Sequence, residues 1–248
     1  MLRSIKSMDG HKILAEDGEI GRISDFYFDD ESWVVRYLVV NTGNWLVDKK
    51  VLISPASFVD TDWHRREISV ALTKEQIEKS PDVSHDKPVS RQKEAELAKY
   101  YTWPTYWPIG GTAAPMHEAA IAHTLKSEAE EIEEREDGDE HLRSAHEVMK
   151  YSIHATDGDI GHVDDLIVDD TLWNIRYLVV NTRKLLPGRK VLVSPEWIEL
   201  ISWSEHKVNV QMNKESIKNS PPFDPSEPIN RTYEEHLYDF YGRPKYWK

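Results

Sequence analysis

The sequence predicts a mainly β fold with minor α content, built as two similar small barrels that are each followed by short helices. The first observation behind this prediction is an internal repeat: residues 1–108 align with 141–248 without a gap, and 41 of the 108 positions are identical. Identity over that length indicates that one domain has been duplicated. The second observation is that each copy contains short apolar runs bounded by turn residues, which is typical of strands in a small bent sheet or barrel.

The repeat also divides the chain. Residues 1–108 and 141–248 are the two copies, and residues 109–140 form an acidic linker. The linker carries 2 basic and 10 acidic residues, so it holds most of the net charge of -13. We expect it to contribute little to a folded core and to be the first segment that a protease cuts. The nearly neutral copies lack the basic excess that binds phosphate, which disfavours a nucleic-acid partner.

The strands of one copy follow from turn signals and alternation. Asp17-Gly18 is a turn dipeptide that predicts a hairpin between residues 11–14 and 20–28. Residues 33–42 are apolar on both faces, which predicts a strand buried on both sides. A short strand ends before Pro55, and a second hairpin surrounds residues 63–66.

The helices follow from capping signals. Thr73-Lys74-Glu75-Gln76 has the form of a capping box, which predicts a helix of about two turns that ends at Ser80-Pro81. A second helix is predicted from Arg91 to Tyr101, with its counterpart from Arg231 to Tyr241. After each helix an aromatic tail closes the copy.

Composition excludes several classes of chemistry. The chain has no cysteine, which excludes disulfides, thiolate nucleophiles and zinc fingers with Cys ligands. We find no G-x-S-x-G elbow, no glycine-rich phosphate loop and no pair of histidines at a metal-binding helical spacing. The sequence therefore predicts no catalytic residue, no cofactor and no metal site, and it predicts that the protein is not an enzyme. Because no run approaches the ~20 apolar residues of a membrane span, we expect a cytoplasmic protein without a transmembrane segment.

Each copy resembles the PRC-barrel family. The matching residues of the first copy are Asp17-Gly18, Ile20-Gly21, Asp25, Asp29, Tyr37-Leu38-Val39-Val40, Lys50-Val51-Leu52-Ile53 and Pro55. Those of the second are Asp157-Gly158, Ile160-Gly161, Asp165, Asp169, Tyr177-Leu178-Val179-Val180, Lys190-Val191-Leu192-Val193 and Pro195. The resemblance covers about residues 5–82 and 145–222. Proteins of this family include the cytoplasmic part of the photosynthetic reaction-centre H subunit and the C-terminal half of the ribosome maturation factor RimM.

The resemblance implies two PRC-type β-barrels, in a family where the barrel is an adaptor without a common active site. Duplicated domains commonly keep the packing of an ancestral homodimer. We therefore expect the two barrels to pack as a pseudo-dimer, and the full chain to be a monomer with an internal pseudo-two-fold axis.

The aromatic tails are the first candidate site. Six residues are candidates for partner interaction or for docking between the copies: Tyr101, Tyr106, Trp107, Tyr241, Tyr246 and Trp247. Clustered aromatic side chains are unfavourable in water. We expect the tails to dock on their own or the sister barrel, and recognition of a partner protein is the alternative.

Acidic residues at the strand corners are the second candidate site. The candidate surface acids are Asp25, Asp29, Asp30, Asp165, Asp169 and Asp170. They could bind metal or carry protons, but short acids also stabilise turns, and this is the interpretation that we favour. Arg36 and Arg176 interrupt apolar strands, and we expect each to form a salt bridge with a nearby acid or to anchor a ligand.

The function expected from these patterns is that of a non-catalytic adaptor or scaffold, which binds a protein partner or complex through its two barrels. An alternative is an accessory of photosynthetic electron transfer and proton delivery that is similar to the H subunit. A ribosome maturation factor similar to RimM is a third hypothesis, which the charge balance disfavours.

Overall fold

A computed structural model of the chain describes residues 1–43, 46, 50–81, 89–106, 141–182 and 189–247. Trp107 and the acidic linker 109–140 lie outside these residues, so the expectations for them stay predictions. Within the described residues no helix is long and apolar enough to cross a membrane.

The first repeat contains seven strands and three α-helices among its described residues. The strands are β1 (Leu2–Ser4), β2 (Lys12–Ala15), β3 (Gly18–Asp29), β4 (Val34–Asn41), β5 (Lys50–Ile53), β6 (Phe58–Asp62) and β7 (Glu67–Val70). The helices are α1 (Ile5–Met8), α2 (Lys74–Glu78) and α3 (Arg91–Tyr101), with a 3-10 turn at Pro55–Ser57. The predicted hairpins and helices are confirmed, and the capping box at Thr73 and Gln76 forms in both directions.

The second repeat has the same elements in the same order. Its strands are β8 (Leu142–Ser144), β9 (Ser152–Ala155), β10 (Gly158–Asp169), β11 (Ile175–Asn181), β12 (Lys190–Val193), β13 (Ile198–Ser202) and β14 (Lys207–Val210). Its helices are α4 (Ala145–Val148), α5 (Lys214–Asn219) and α6 (Arg231–Tyr241), with a 3-10 turn at Pro195–Trp197.

The chain forms two compact units, whose boundaries differ from those of the sequence repeats. Unit 1 comprises Met1–Asp9, Ser32–Val35 and Ser144–Lys248, and unit 2 comprises Gly10–Glu31 and Arg36–Arg143. Each unit therefore contains mostly one repeat and takes the N-terminal segment of the other, and unit 1 also takes Ser32–Val35. The division into residues 1–108 and 141–248 remains a description of the sequence repeat, and the packing of the two barrels as a pseudo-dimer stays a prediction.

Each unit is organised around one seven-stranded sheet, which confirms the mainly β fold with two β domains. The strand order is β12-β11-β10-β9-β14-β13 in unit 1, with β1 added to β10. In unit 2 it is β5-β4-β3-β2-β7-β6, with β8 added to β3. The pairings β2–β7 and β9–β14 are parallel, and the neighbouring hairpins are antiparallel.

The segment that unit 1 takes from the first repeat is paired along its backbone and buried. Leu2, Arg3 and Ser4 pair with Asp169, Val168 and Ile167 of β10. Ile5 and Met8 of α1 follow, with 0% and 1% of their surface exposed. We call residues 1–9 the exchanged segment, because they belong to one repeat in sequence and to the unit of the other repeat in structure.

The core lies on β4 and β11, as the sequence predicts. Leu38 and Leu178 are fully buried at equivalent positions. The repeated Ile-Gly pair is explained by a close backbone approach, since a Cβ at Gly21 or Gly161 would lie 2.1 Å from the carbonyl oxygen of Asn41 or Asn181. Only glycine fits the crossing of these strands.

Candidate functional site

A buried glutamate on the last helix of each unit is the centre of the candidate site. Glu94 of α3 is 0% exposed and Glu234 of α6 is 3% exposed. Each helix begins with a capping side chain, Ser90 or Asn230, four residues before the glutamate. Leu97 and Leu237, one helical turn later, are also buried, so each glutamate lies on the apolar face of its helix. A carboxylate in that position requires partners, because removing a charge from water is unfavourable unless it is paired.

In unit 2 the carboxylate of Glu94 binds side chains from three parts of the chain. The Tyr106 hydroxyl donates to Oε1 at 2.7 Å, and His141 Nε2 lies 2.6 Å from Oε2. Arg91 Nη1 donates to Oε2 at 3.3 Å from within the same helix. The guanidinium of Arg36 lies over the Tyr106 ring, 3.5 Å from its centroid. Helix, aromatic tail and β4 are thereby fixed to one another.

Unit 1 repeats this arrangement without a histidine. The hydroxyls of Tyr177 and Tyr246 donate to Oε1 of Glu234 at 2.7 and 2.8 Å. Arg231 Nη1 lies 3.1 Å from Oε2. The guanidinium of Arg176 lies 4.3 Å from the centroid of the Tyr246 ring, as Arg36 does over Tyr106. A tyrosine ring is thus one partner of both arginines, and the expected salt bridge to an acid or role as a ligand anchor stays a prediction.

The tyrosines of these clusters are kept protonated. Burial raises the pKa of Tyr37 and of Tyr177 well above the usual range, and the nearby Glu94 or Glu234 carboxylate adds to the shift. Burial and Glu94 likewise raise the pKa of Tyr106, and the pKa of Tyr246 is raised to about 12. All four therefore carry a hydroxyl proton at neutral pH, which is the proton needed to donate to a carboxylate.

The tails pack against the unit that contains their own helix. Tyr101 stacks on Trp103 with 4.3 Å between ring centroids, and Tyr241 packs against Trp197 at 4.8 Å. Trp247 contacts Tyr238 at 5.1 Å. Tyr106 and Tyr246 belong to the buried clusters, and Trp107 lies outside the described residues. A role of the tails between copies or toward a partner stays a prediction.

Two of the six candidate surface acids are buried, which corrects their description as surface groups. Asp29 is 6% and Asp165 is 8% exposed. Asp165 accepts hydrogen bonds from the Ser4 hydroxyl and from the backbone of Lys6 and Leu166, and burial nevertheless raises its pKa. It is buried because the exchanged segment covers it.

The other acids hold backbone or arginine groups. Asp170 pairs with Arg3 of the exchanged segment, and Asp30 accepts from Arg143 Nε of β8 at 2.9 Å. Asp25 accepts from the backbone of Phe26 at 2.7 Å, and Asp169 accepts from the backbone of Thr171 at 3.0 Å. These contacts are those of the structural interpretation, in which short acids hold turns and strand ends. No three histidine or acidic side chains of the described residues are grouped as metal ligands.

Sequence reasoning missed the residues at the centre of the clusters. Glu94, Glu234 and His141 read as ordinary solvated groups, since each glutamate stands among other charged residues. A signal was present in the repeat: Arg, Glu and Tyr recur at identical spacing as Arg91, Glu94 and Tyr106 and again 140 residues later.

The PRC-barrel domain family model matches residues 3–76, in agreement with the family that the sequence of the first copy resembles. The second repeat carries the same elements at an offset of 140 residues. A search of curated proteins found no match.

Proposed function

We propose that the protein is a non-catalytic adaptor, which binds a protein partner or complex through its β units. The observation that carries this proposal is a pair of exposed apolar side chains at the sheet edges. Val59 on β6 is 69% exposed, and Leu200 on β13 is 61% exposed. Both strands stand at the end of their sheet. Both side chains are therefore available for contact with another protein.

The edges favour side-chain contact over strand addition. The pairing of β6 with β7 shifts between Phe58 and Asp60, and that of β13 with β14 shifts between Ile198 and Leu200. Bulges of this kind disturb the row of backbone groups that an added strand would need. A partner would therefore recognise the projecting side chains.

The buried clusters support a structural role for the two glutamates at their centres, Glu94 and Glu234. Glu94 has no exposed surface, and its carboxylate oxygens are engaged by Tyr106, His141 and Arg91. A group used as general acid or base must reach the proton of a substrate. The enclosure of Glu94 favours attachment of the helix and tail as its function.

The test compares three full-length proteins: wild type, V59E/L200E, and the control L172E, in which another side chain that is 61% exposed is changed. Each is used to capture proteins from a lysate of the native cells. Any protein captured is then purified, and its binding is measured directly. We expect the double variant to lose at least tenfold in affinity and L172E to bind as wild type. Equal binding by all three, or the absence of any direct complex, would reject the proposal.

The identity of the bound protein separates the alternatives. Ribosomal proteins would favour a role similar to that of RimM, and subunits of a photosynthetic membrane complex would favour the H-subunit-like accessory. For the latter, the supporting observation is the contact of 2.6 Å between His141 and Glu94, which only unit 2 contains. If that role holds, E94Q should slow proton uptake by the complex and E234Q should not, because unit 1 has no histidine at this position.

A further inference from the structure

The exchanged segment provides an inference that does not depend on the adaptor function. We infer that the surface of β10 that receives residues 1–9 can bind the same residues of a second copy of this chain. Two chains would then assemble by reciprocal exchange of these segments. We call the receiving surface, formed by β10 with Asp164, Asp165 and Asp170, the socket.

The socket recognises the exchanged segment by backbone, apolar and charged groups together. Three residue pairs join β1 to β10, and Ile5 and Met8 are buried beyond them. Arg3 pairs with Asp170, and Lys6 Nζ lies 3.2 Å from Asp164 Oδ1. Such a combination is a complete peptide-binding site, in which main-chain bonds supply affinity and side chains supply specificity.

The strand part of this recognition element occurs twice, and Leu142 and Arg143 are its counterpart in unit 2. Leu2-Arg3-Ser4 and Leu142-Arg143-Ser144 are identical, and each is followed by a one-turn helix with two buried apolar residues. The second element pairs with β3, and Arg143 meets Asp30, which is the counterpart of Asp170. The same peptide chemistry is therefore recognised by equivalent acids in both units.

In both cases the peptide belongs to the other repeat in sequence. The contacts just described are made between a segment and a surface, and they are the same whether or not one chain supplies both. Within one chain the tether gives the segment a high effective concentration, so the internal arrangement is favoured. Exchange between chains becomes favourable when the internal match is impaired, as in domain swapping.

Charge reversal at Arg3 and Asp170 tests the inference on full-length protein. In R3E the segment is repelled by its own socket, and in D170R the socket repels its own segment. When the two variants are refolded together, each exchanged contact joins opposite charges: the two introduced side chains face each other, and so do the two native ones. We expect a 1:1 complex with twice the mass of the chain by native mass spectrometry, and monomers from each variant alone. The double variant R3E/D170R should be a monomer, because its internal match is restored.

A matched control uses the ion pair of Lys93 and Glu96 within α3, whose side-chain charges lie 3.0 Å apart. K93E and E96K refolded together should give only monomers. If R3E and D170R also give only monomers, the inference is overturned. Should either variant fail to fold, unlabelled and nitrogen-15 wild type are unfolded and refolded together at high concentration. A dimer of mixed mass, cross-linked between residues 1–9 of one chain and β10 of the other, is then required, and its absence overturns the inference equally.

Discussion

In unit 2 the buried glutamate receives a histidine, His141, whereas unit 1 has Met1 at the equivalent position of the repeat. Around that difference the two clusters agree: each contains the glutamate, two tyrosines and two arginines at matching positions. The comparison separates what the fold requires from what one unit has added. A carboxylate with tyrosine and arginine partners suffices to fasten the helix, and the histidine is an additional partner.

A second difference concerns the position that supplies a packed indole side chain. In unit 2 Trp103 of the tail reaches Ser57, with 2.6 Å between Nε1 and Oγ. At the matching positions of unit 1 the tail has Arg243 and the 3-10 turn has Trp197. In unit 2 the tail supplies the indole, and in unit 1 the 3-10 turn supplies it. The packed volume is therefore retained, although a different position supplies the side chain that fills it.

The largest expected effect follows from the two indoles. Trp197 is 2% exposed, whereas Trp103 is half-buried. W197A should lower the free energy of unfolding by about 3–5 kcal/mol through lost burial and a cavity. W103A should lower it by less, because part of its ring is already in water. Urea unfolding followed by circular dichroism measures both, and equal losses would contradict the difference between the units.

The next effect concerns the glutamates. E94A leaves His141 and Arg91 without their carboxylate, and we expect a loss of about 3–5 kcal/mol, since breaking a buried pair strands the other charge. E234A should lose less, because the Arg231 side chain is 51% exposed and water can solvate it. The same unfolding measurement applies. A larger loss in E234A than in E94A would show that the histidine is not a stabilising partner.

Alkaline pH should act equally on one equivalent tail tyrosine in each unit. Burial raises the pKa of Tyr101 and of Tyr241 to about 12, whereas an unfolded tyrosine ionises near 10. The stability that these protonated tyrosines provide is complete below pH 10 and is lost as pH rises toward 12. The slope is at most about 1.4 kcal/mol per pH unit for each tyrosine. Y101F and Y241F should each flatten the measured decline equally; a change in one variant only would break the equivalence of the tails.

The smallest effect concerns a hydrogen bond that only unit 2 can form. The hydroxyl of Tyr100 donates to the carbonyl oxygen of Gln76 at 2.7 Å, and the counterpart of Tyr100 is Phe240. Y100F should lose about 0.5–1 kcal/mol, because the contact is exposed. F240Y serves as the control and should leave the stability unchanged. Differential scanning calorimetry would detect the shift, and a loss in F240Y of the same size would contradict this account.

Local signals were enough to predict most elements. The turn at Asp17-Gly18, the capping box at Thr73 and the helix from Arg91 to Tyr101 depend on neighbours within a few residues, which the sequence displays. The exchanged segment could not be predicted in this way, since β1 has three residues and acquires its partners more than 160 positions away.

The candidate site was hidden for the same reason. The burial of Glu94 depends on Tyr106 and His141, which lie 12 and 47 residues along the chain. A single helix therefore offers no sign that this glutamate differs from Glu96, whose side chain is 45% exposed. The change of position between Trp103 and Trp197 could not be predicted either, because the tail and the 3-10 turn that pack together are distant in sequence.

The exchanged segment also changes how inherited variation would act on this protein. A substitution among the first nine residues affects unit 1, which consists mostly of the second repeat, because Ile5 and Met8 are buried there. Neither half of the gene encodes a complete unit, so the two halves are not free to drift independently after duplication. Compensating changes for a defect at Arg3 should arise in the second repeat, at Asp170, and not among its neighbours in sequence.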